Sequence, residues 1–366
     1  MRRMLALTLA LAAAAVAAQV DVTDLLGSRP EPGFARAMAP RAFSFPADHG
    51  PHPGFRSEWW YFTGNLAAAN GRHFGFQVTF FRVALSPDAA PRESAWATNQ
   101  AWMAHFALTD SDAGRFHAAE RLGRGALGIA GAEASPFRVW VDDWQAAGRT
   151  PADAFPLRLR ASDGDVAVEL ELSAMRPRVL QGQDGWDRKG PEPGNASYYY
   201  AHTRLAAEGK VRTRDARFEV TGTAWMDREW GTSALGPELA GWDWLSLHLS
   251  DGRDLMLYRL RSRDGSADGF SKGALILPDG TRIALSAREF ALEPRRWWTS
   301  PATGVRYPVA WSVTVPSHGL SLDVTPRLDD QELDLSVRYW EGAVYAKGRA
   351  GGETVTGQGY LELAGY

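Results

Sequence analysis

The chain has no cysteine, so disulfides, thiolate metal sites and a lipid-bearing N-terminal cysteine are all excluded, and the fold must hold by packing. Net charge is scarce as well. Lys and Arg number 40 against 43 Asp and Glu, a balance of -3 that offers no field to gather nucleic acid or an anionic membrane surface. Long apolar runs are few: Leu5 to Val16 is short of the ~20 residues of a spanning helix, and no later segment approaches that length, so no membrane span is expected in the mature chain. Paired histidines are missing too. The 8 histidines form no His-x-His or His-x-x-x-His pattern, and only His49 and His52 lie close together, in a Pro-Gly turn, so no metal and no cofactor is expected.

What is present begins with a leader. Arg2 and Arg3 precede the apolar run, and Val16-Ala17-Ala18 forms a small-residue cleavage site, so residues 1–18 read as a signal peptide and the protein as exported, periplasmic or secreted. A Pro-rich lead segment fills 19–40. The 366 residues suffice for roughly two domains of ~150 residues. A content of 15 Trp with 37 Gly and 21 Pro suits short strands, tight turns and aromatic walls.

Beyond Pro40 most apolar segments alternate with period two between turn residues, as in Phe74-Gly75-Phe76-Gln77-Val78-Thr79-Phe80-Phe81, which predicts an all-β chain. The two halves also repeat. Trp59 to Leu66 leads to Asn70-Gly71-Arg72 as Trp242 to Leu249 leads to Asp251-Gly252-Arg253, both hairpins. Phe155 to Leu172, turning at Asp163-Gly164, parallels Ala310 to Val324, turning at His318-Gly319, and Val220 to Asp227 parallels Val355 to Glu362. A duplicated meander removes its strand edges most simply by closing each copy into a barrel. The expected division is a first barrel over 41–232 and a second over 233–366, with the boundary near Ser233 to Gly241. The first copy alone carries long loops, Leu85 to Asn99 and Arg176 to Ala196, which places the expected site there.

The segments Arg56 to Asn65, Arg188 to Tyr200, Met226 to Gly231 and Trp340 to Ala343 resemble the superfamily of AttH and hydroxyneurosporene synthase (CrtC, carotenoid hydratase), over about Phe45 to Tyr366. The resemblance implies two tandem lipocalin-like (calycin) antiparallel β-barrels, an AttH/CrtC-type barrel followed by a lipocalin-like one. It also implies a choice of activities, since the family spans carotenoid hydratases, proteins labelled secreted hydrolases and companions of ABC transporter permeases. In the hydratases a position similar to Asp227 is acidic with a Tyr two places before it. This chain has Trp225 there.

Adding water to an isolated carbon–carbon double bond needs a proton donor, a means of stabilising a tertiary cation, and a cavity closed to bulk solvent. Trp225, Asp227 and Glu229 share one face of a strand, placing carboxyls beside an indole, so these three are the catalytic candidates. Glu58 and Trp60 share another face, with Arg82 and Arg56 as available counterions, and Asp243 shares one with Leu245 and Leu247. Tyr198, Tyr200 and His202 follow the long loop and form a polar-aromatic face, while Trp102 and His105 point opposite ways. With Trp230, these make Glu58, Trp60, Tyr198, Tyr200, His202, His105, Trp230 and Asp243 the ligand-binding candidates. Gly269-Phe270-Ser271-Lys272-Gly273 fits G-x-S-x-G but lacks the strand-to-helix setting of a nucleophile elbow. The first expectation is an exported protein holding an apolar, lipid-like molecule in the first barrel, with an ABC transporter permease as partner. The second is an isoprenoid hydratase, a hydro-lyase rather than a hydrolase, with Asp227 as general acid. The third is a filled scaffold docking to an envelope protein.

Overall fold

The computed structural model describes residues 32–88, 93–232 and 235–366. The leader, the start of the Pro-rich segment, residues 89–92 of the first long loop, and Ser233 and Ala234 at the expected boundary lie outside the described residues. Among the described residues strand dominates, and helix is confined to two three-residue turns, Ala47–His49 and Pro316–His318.

Two antiparallel sheets carry the fold: one of 13 strands within Ser57–Gly231, curled into a nearly closed barrel, and one of 10 strands within Leu239–Ala364, a half-barrel. The all-β, tandem lipocalin-like architecture is therefore present. The repeat is visible in the strand order. In the first sheet Gln100–Asp110, His73–Ala84, Ser57–Ala68, Arg217–Gly231, Ala196–Arg212, Val166–Ala174 and Leu157–Asp163 lie side by side. In the second, Lys272–Ile276, Asp254–Ser262, Leu239–Leu249, Glu353–Ala364, Arg338–Ala350, Leu320–Pro326 and Arg306–Val315 follow the same order.

Period-two alternation sends each strand's side chains to opposite faces. Trp60, Phe62, Phe76, Phe80, Phe106 and Trp144 point into the first barrel and fill it, and Leu245, Leu247, Trp311, Val313 and Trp340 fill the second. The alternate residues Tyr61, Tyr199, Trp225, Trp244, Tyr258 and Tyr360 are buried as well, in a third cluster where the two sheets pack against each other. Burial on both faces explains why Trp59-Trp60-Tyr61-Phe62 is an unbroken apolar run rather than an alternating one. The sheets approach closely. A Cβ on Gly75 would lie 2.5 Å from Ala343 Cβ and 2.9 Å from the Tyr360 hydroxyl, so only glycine fits there.

The hollow expected inside the first barrel is thus packed with side chains, and the aromatic cavity lies between the barrels instead. The second long loop feeds this junction. Its short strands Val179–Leu180 and Trp186–Arg188 both pair with Ala196–Arg212 and order the loop against the sheet.

Candidate functional site between the barrels

Equivalent faces of the two sheets enclose a cavity of about 90 Å³. Its apolar wall is aromatic: Trp59, Tyr61, Phe81 and Tyr199 from the first sheet, Trp242, Trp244, Tyr258 and Tyr339 from the second. Trp59, Phe81 and Trp242 are only half-buried and mark where it reaches the surface. Its polar lining is acidic, with Asp227 and Glu229 on one side and Glu362 on the other, and Lys189 at the edge.

Asp227 sits on Arg217–Gly231 opposite Tyr61. Alternation turns its neighbour Arg228 into the first barrel, so among the described residues no ion pair reaches Asp227. Its carboxyl receives the Trp225 indole N–H at 2.7 Å and lies 2.7 Å from the Tyr199 hydroxyl. Burial without a cation pushes it up from 3.8 to about 8; the two hydrogen bonds oppose the rise, and Glu229 and Glu362 add to it. The rise favours the neutral carboxyl at pH 7. An indole N–H can only donate, so the oxygen facing Trp225 accepts, and the other oxygen accepts from the Tyr199 hydroxyl. Tyr199 reaches Asp227 from the adjoining strand Ala196–Arg212.

Glu229 is raised by burial too, although it meets Ser197 at 2.5 Å and Lys189 at 3.2 Å. Lys189 also binds Asp187 at 2.6 Å. Burial works against charge on both, yet Lys189 and Lys272 pull Asp187 down to about 2, and the two carboxylates hold Lys189 above its usual range. In the second sheet Glu362 lies opposite Trp244 on one side and Glu341 on the other. Trp242 donates its indole N–H to Glu362, and the Tyr61 hydroxyl reaches across from the first barrel to Glu341 at 2.6 Å. Burial lifts Glu362 to about 7 and Glu341 well above the carboxylate range.

The remaining candidates fall elsewhere. Glu58, Trp60, Tyr198, Tyr200, His202 and Trp230 point into the first barrel rather than the cavity. Glu58 is fully buried between Arg82 and Arg228 and accepts the His52 amide, and its proximity to the guanidiniums overrides burial and holds it ionised. Arg228 stacks on Trp60 and His52 on Trp230, at 3.9 and 3.8 Å. Tyr200 bonds His49 at 2.6 Å, which bonds Asp153 at 2.8 Å. His202 packs on Phe155, neutral through burial. His105 lies behind the cavity wall, bonded to Tyr339 at 2.8 Å and Glu120 at 3.2 Å. Asp243 is held by Arg259, Arg261 and Tyr366. Among the described residues Ser271 bonds only backbone, that of Asp268 and Leu260.

Sequence reasoning missed Tyr199, Lys189, Glu341 and Glu362. The signal for Glu362 was in the repeat, whose third match aligns it with Asp227.

The family model described as AttH-like matches residues 36–366. The chain belongs to the AttH-like family. Its fold is that of the crystal structure of an AttH protein from Nitrosomonas europaea, at 36% identity and a TM-score of 0.80, covering 91% of this chain and 100% of that one. Kievitone hydratase from Nectria haematococca shares the fold at 16% identity and a TM-score of 0.68, covering 89% of this chain and 93% of that one. CghA, solved with Sch210972, does so at 15% identity and 0.53, covering 94% and 97%. No curated protein matches the sequence. Within this AttH-like chain, the described residues hold no cluster of three or more metal-ligating side chains.

Proposed function

We propose that the protein adds water to a carbon–carbon double bond of an apolar, isoprenoid-type molecule in the cavity between its barrels. One observation carries this reading: Asp227, buried and with no ion-pair partner among the described residues, faces an aromatic cavity, and burial raises its carboxyl to about 8. A neutral carboxyl can give its proton to an alkene, and the π faces of Trp59, Trp242 and Trp244 attract the cation that forms. The hydratase among the fold's neighbours supports the reaction class. Export through the leader at 1–18 belongs to the same proposal.

The test is turnover in water labelled with heavy oxygen, using citronellol, squalene and lycopene, each with isolated trisubstituted double bonds. We expect an alcohol carrying the label with the native protein and none with Asp227→Asn. If no alkene in the set is hydrated, the reading falls. The same aromatic lining favours a second reading, binding of an apolar molecule without turnover, in connection with an envelope permease. Native mass spectrometry of the purified protein would then show a retained lipid, unchanged in Asp227→Asn.

A further inference from the structure

The cavity contains a second acid–base centre, and it comes from the second barrel. Glu362 occupies the position in Glu353–Ala364 that Asp227 occupies in Arg217–Gly231, and each strand is the central partner of its sheet's leading hairpin. The two carboxyls are dressed alike. Each takes an indole N–H, from Trp225 for Asp227 and Trp242 for Glu362, and each has a second O–H neighbour, Tyr199 for the one and Glu341 for the other.

The difference between the copies lies in that second neighbour. Where the first sheet has Ala201 opposite Asp227, the second has Glu341 opposite Glu362. One Glu341 oxygen accepts from Tyr61, the other has no hydrogen-bond partner among the described residues, and Glu362 stands directly opposite on the neighbouring strand, where burial first and then this facing carboxyl raise Glu341. Two buried carboxyls facing each other across neighbouring strands disfavour double ionisation, and Glu341 is raised further than Glu362. Glu341 therefore keeps a proton, directed at Glu362, and Glu362 is the member with a free lone pair toward the cavity. The groups facing it are Asp227, Glu229 and Tyr61 from the first barrel, with Trp242, Tyr339 and Glu341 from its own.

We propose that Glu362, seated on Glu341, is the base that takes the proton of the attacking water while Asp227 protonates the alkene; this rests on the hydration proposed above. The π pair forms a C–H bond with the Asp227 proton and leaves a tertiary cation. The water oxygen forms the C–O bond, and its surplus proton passes to Glu362. The sum is one water added to one alkene, with a proton moved from Asp227 to Glu362 that exchange through solvent returns.

Two measurements test the division of roles. With citronellol in heavy water, Glu362→Gln keeps the Trp242 hydrogen bond and is expected to lose alcohol formation by roughly a hundredfold or more. It should still exchange deuterium into the recovered alkene, because Asp227 protonation is reversible. Asp227→Asn should lose both. Alcohol formation at the native rate in Glu362→Gln, or loss of exchange along with hydration in a folded variant, overturns the proposal. Independently of turnover, infrared titration should show, besides the Asp227 band that is lost in Asp227→Asn, a second protonated carboxyl band that disappears in Glu341→Gln and persists in Asp227→Asn. If that band is absent while the native protein hydrates citronellol, the Glu362 assignment fails and the hydration reading stands. If the band is present and no alkene is hydrated, the hydration reading fails and takes the assigned role with it, though the proton-sharing pair remains.

Discussion

Asp227→Asn should make the protein more stable at neutral and mildly alkaline pH. In an unfolded chain the carboxyl ionises near 3.8, whereas in the fold burial postpones this to about 8. Between those values the native state holds one more proton than the unfolded state, so its stability must fall as pH rises, by about 1.4 kcal/mol per pH unit from this group alone. At pH 7 the accumulated cost is on the order of 4 kcal/mol, a large part of a typical domain's stability. Asparagine has the same shape and carries no charge. Its carbonyl can accept from Trp225, and its amide can donate to the Tyr199 oxygen, so both contacts at 2.7 Å survive. Urea unfolding of both proteins at a series of pH values measures the effect. The two should be alike near pH 4, then diverge in favour of the variant and run parallel above about pH 8. Coupling to Glu362 and Glu229 broadens the divergence without changing its sign. Parallel curves throughout, or a native protein that gains on the variant with rising pH, would show that Asp227 is ionised in the fold.

Other perturbations have expected outcomes of their own. Glu58→Gln leaves the buried Arg82 and Arg228 without their carboxylate and should cost about 3–5 kcal/mol in urea unfolding. Because Glu58 is held below its ordinary range in the fold, its stabilisation is present above that range and is lost on acidification, a loss the variant should not show. Lys189→Met strips Asp187 and Glu229 of their shared cation, so it should lower the melting temperature at pH 7 and lose less at pH 5, where these acids can take protons. Trp244→Ala should cost about 3–5 kcal/mol and enlarge the cavity, seen as uptake of a larger hydrophobic dye.

Much of this was legible in the sequence. Period-two patterning and the three repeated segments lead to two copies of one meander, and the same alternation puts Trp225, Asp227 and Glu229 on one face. Which side that face looks toward was not legible. Trp59 and Trp60 are equally apolar, and nothing local distinguishes an indole filling a barrel from one packed beneath another barrel. Long-range pairing hid the rest. Tyr199 meets Asp227 across two strands, Tyr61 meets Glu341 at a separation of 280 residues, and Lys189 reaches the junction only because its loop folds back on the sheet. Glu58 carried the cue of a carboxylate among aromatics, yet its two arginines make it a strut rather than an exchanger of protons.

A chamber whose opposing walls are copies of one surface has symmetry as its natural starting point, each wall bearing a matching carboxyl. The Ala201/Glu341 difference is one of the points where the two walls part, and it sets beside Glu362 a carboxyl that Asp227 lacks at the same place. One gene thus carries two versions of the same wall, and each can specialise while the other preserves the shape of the room.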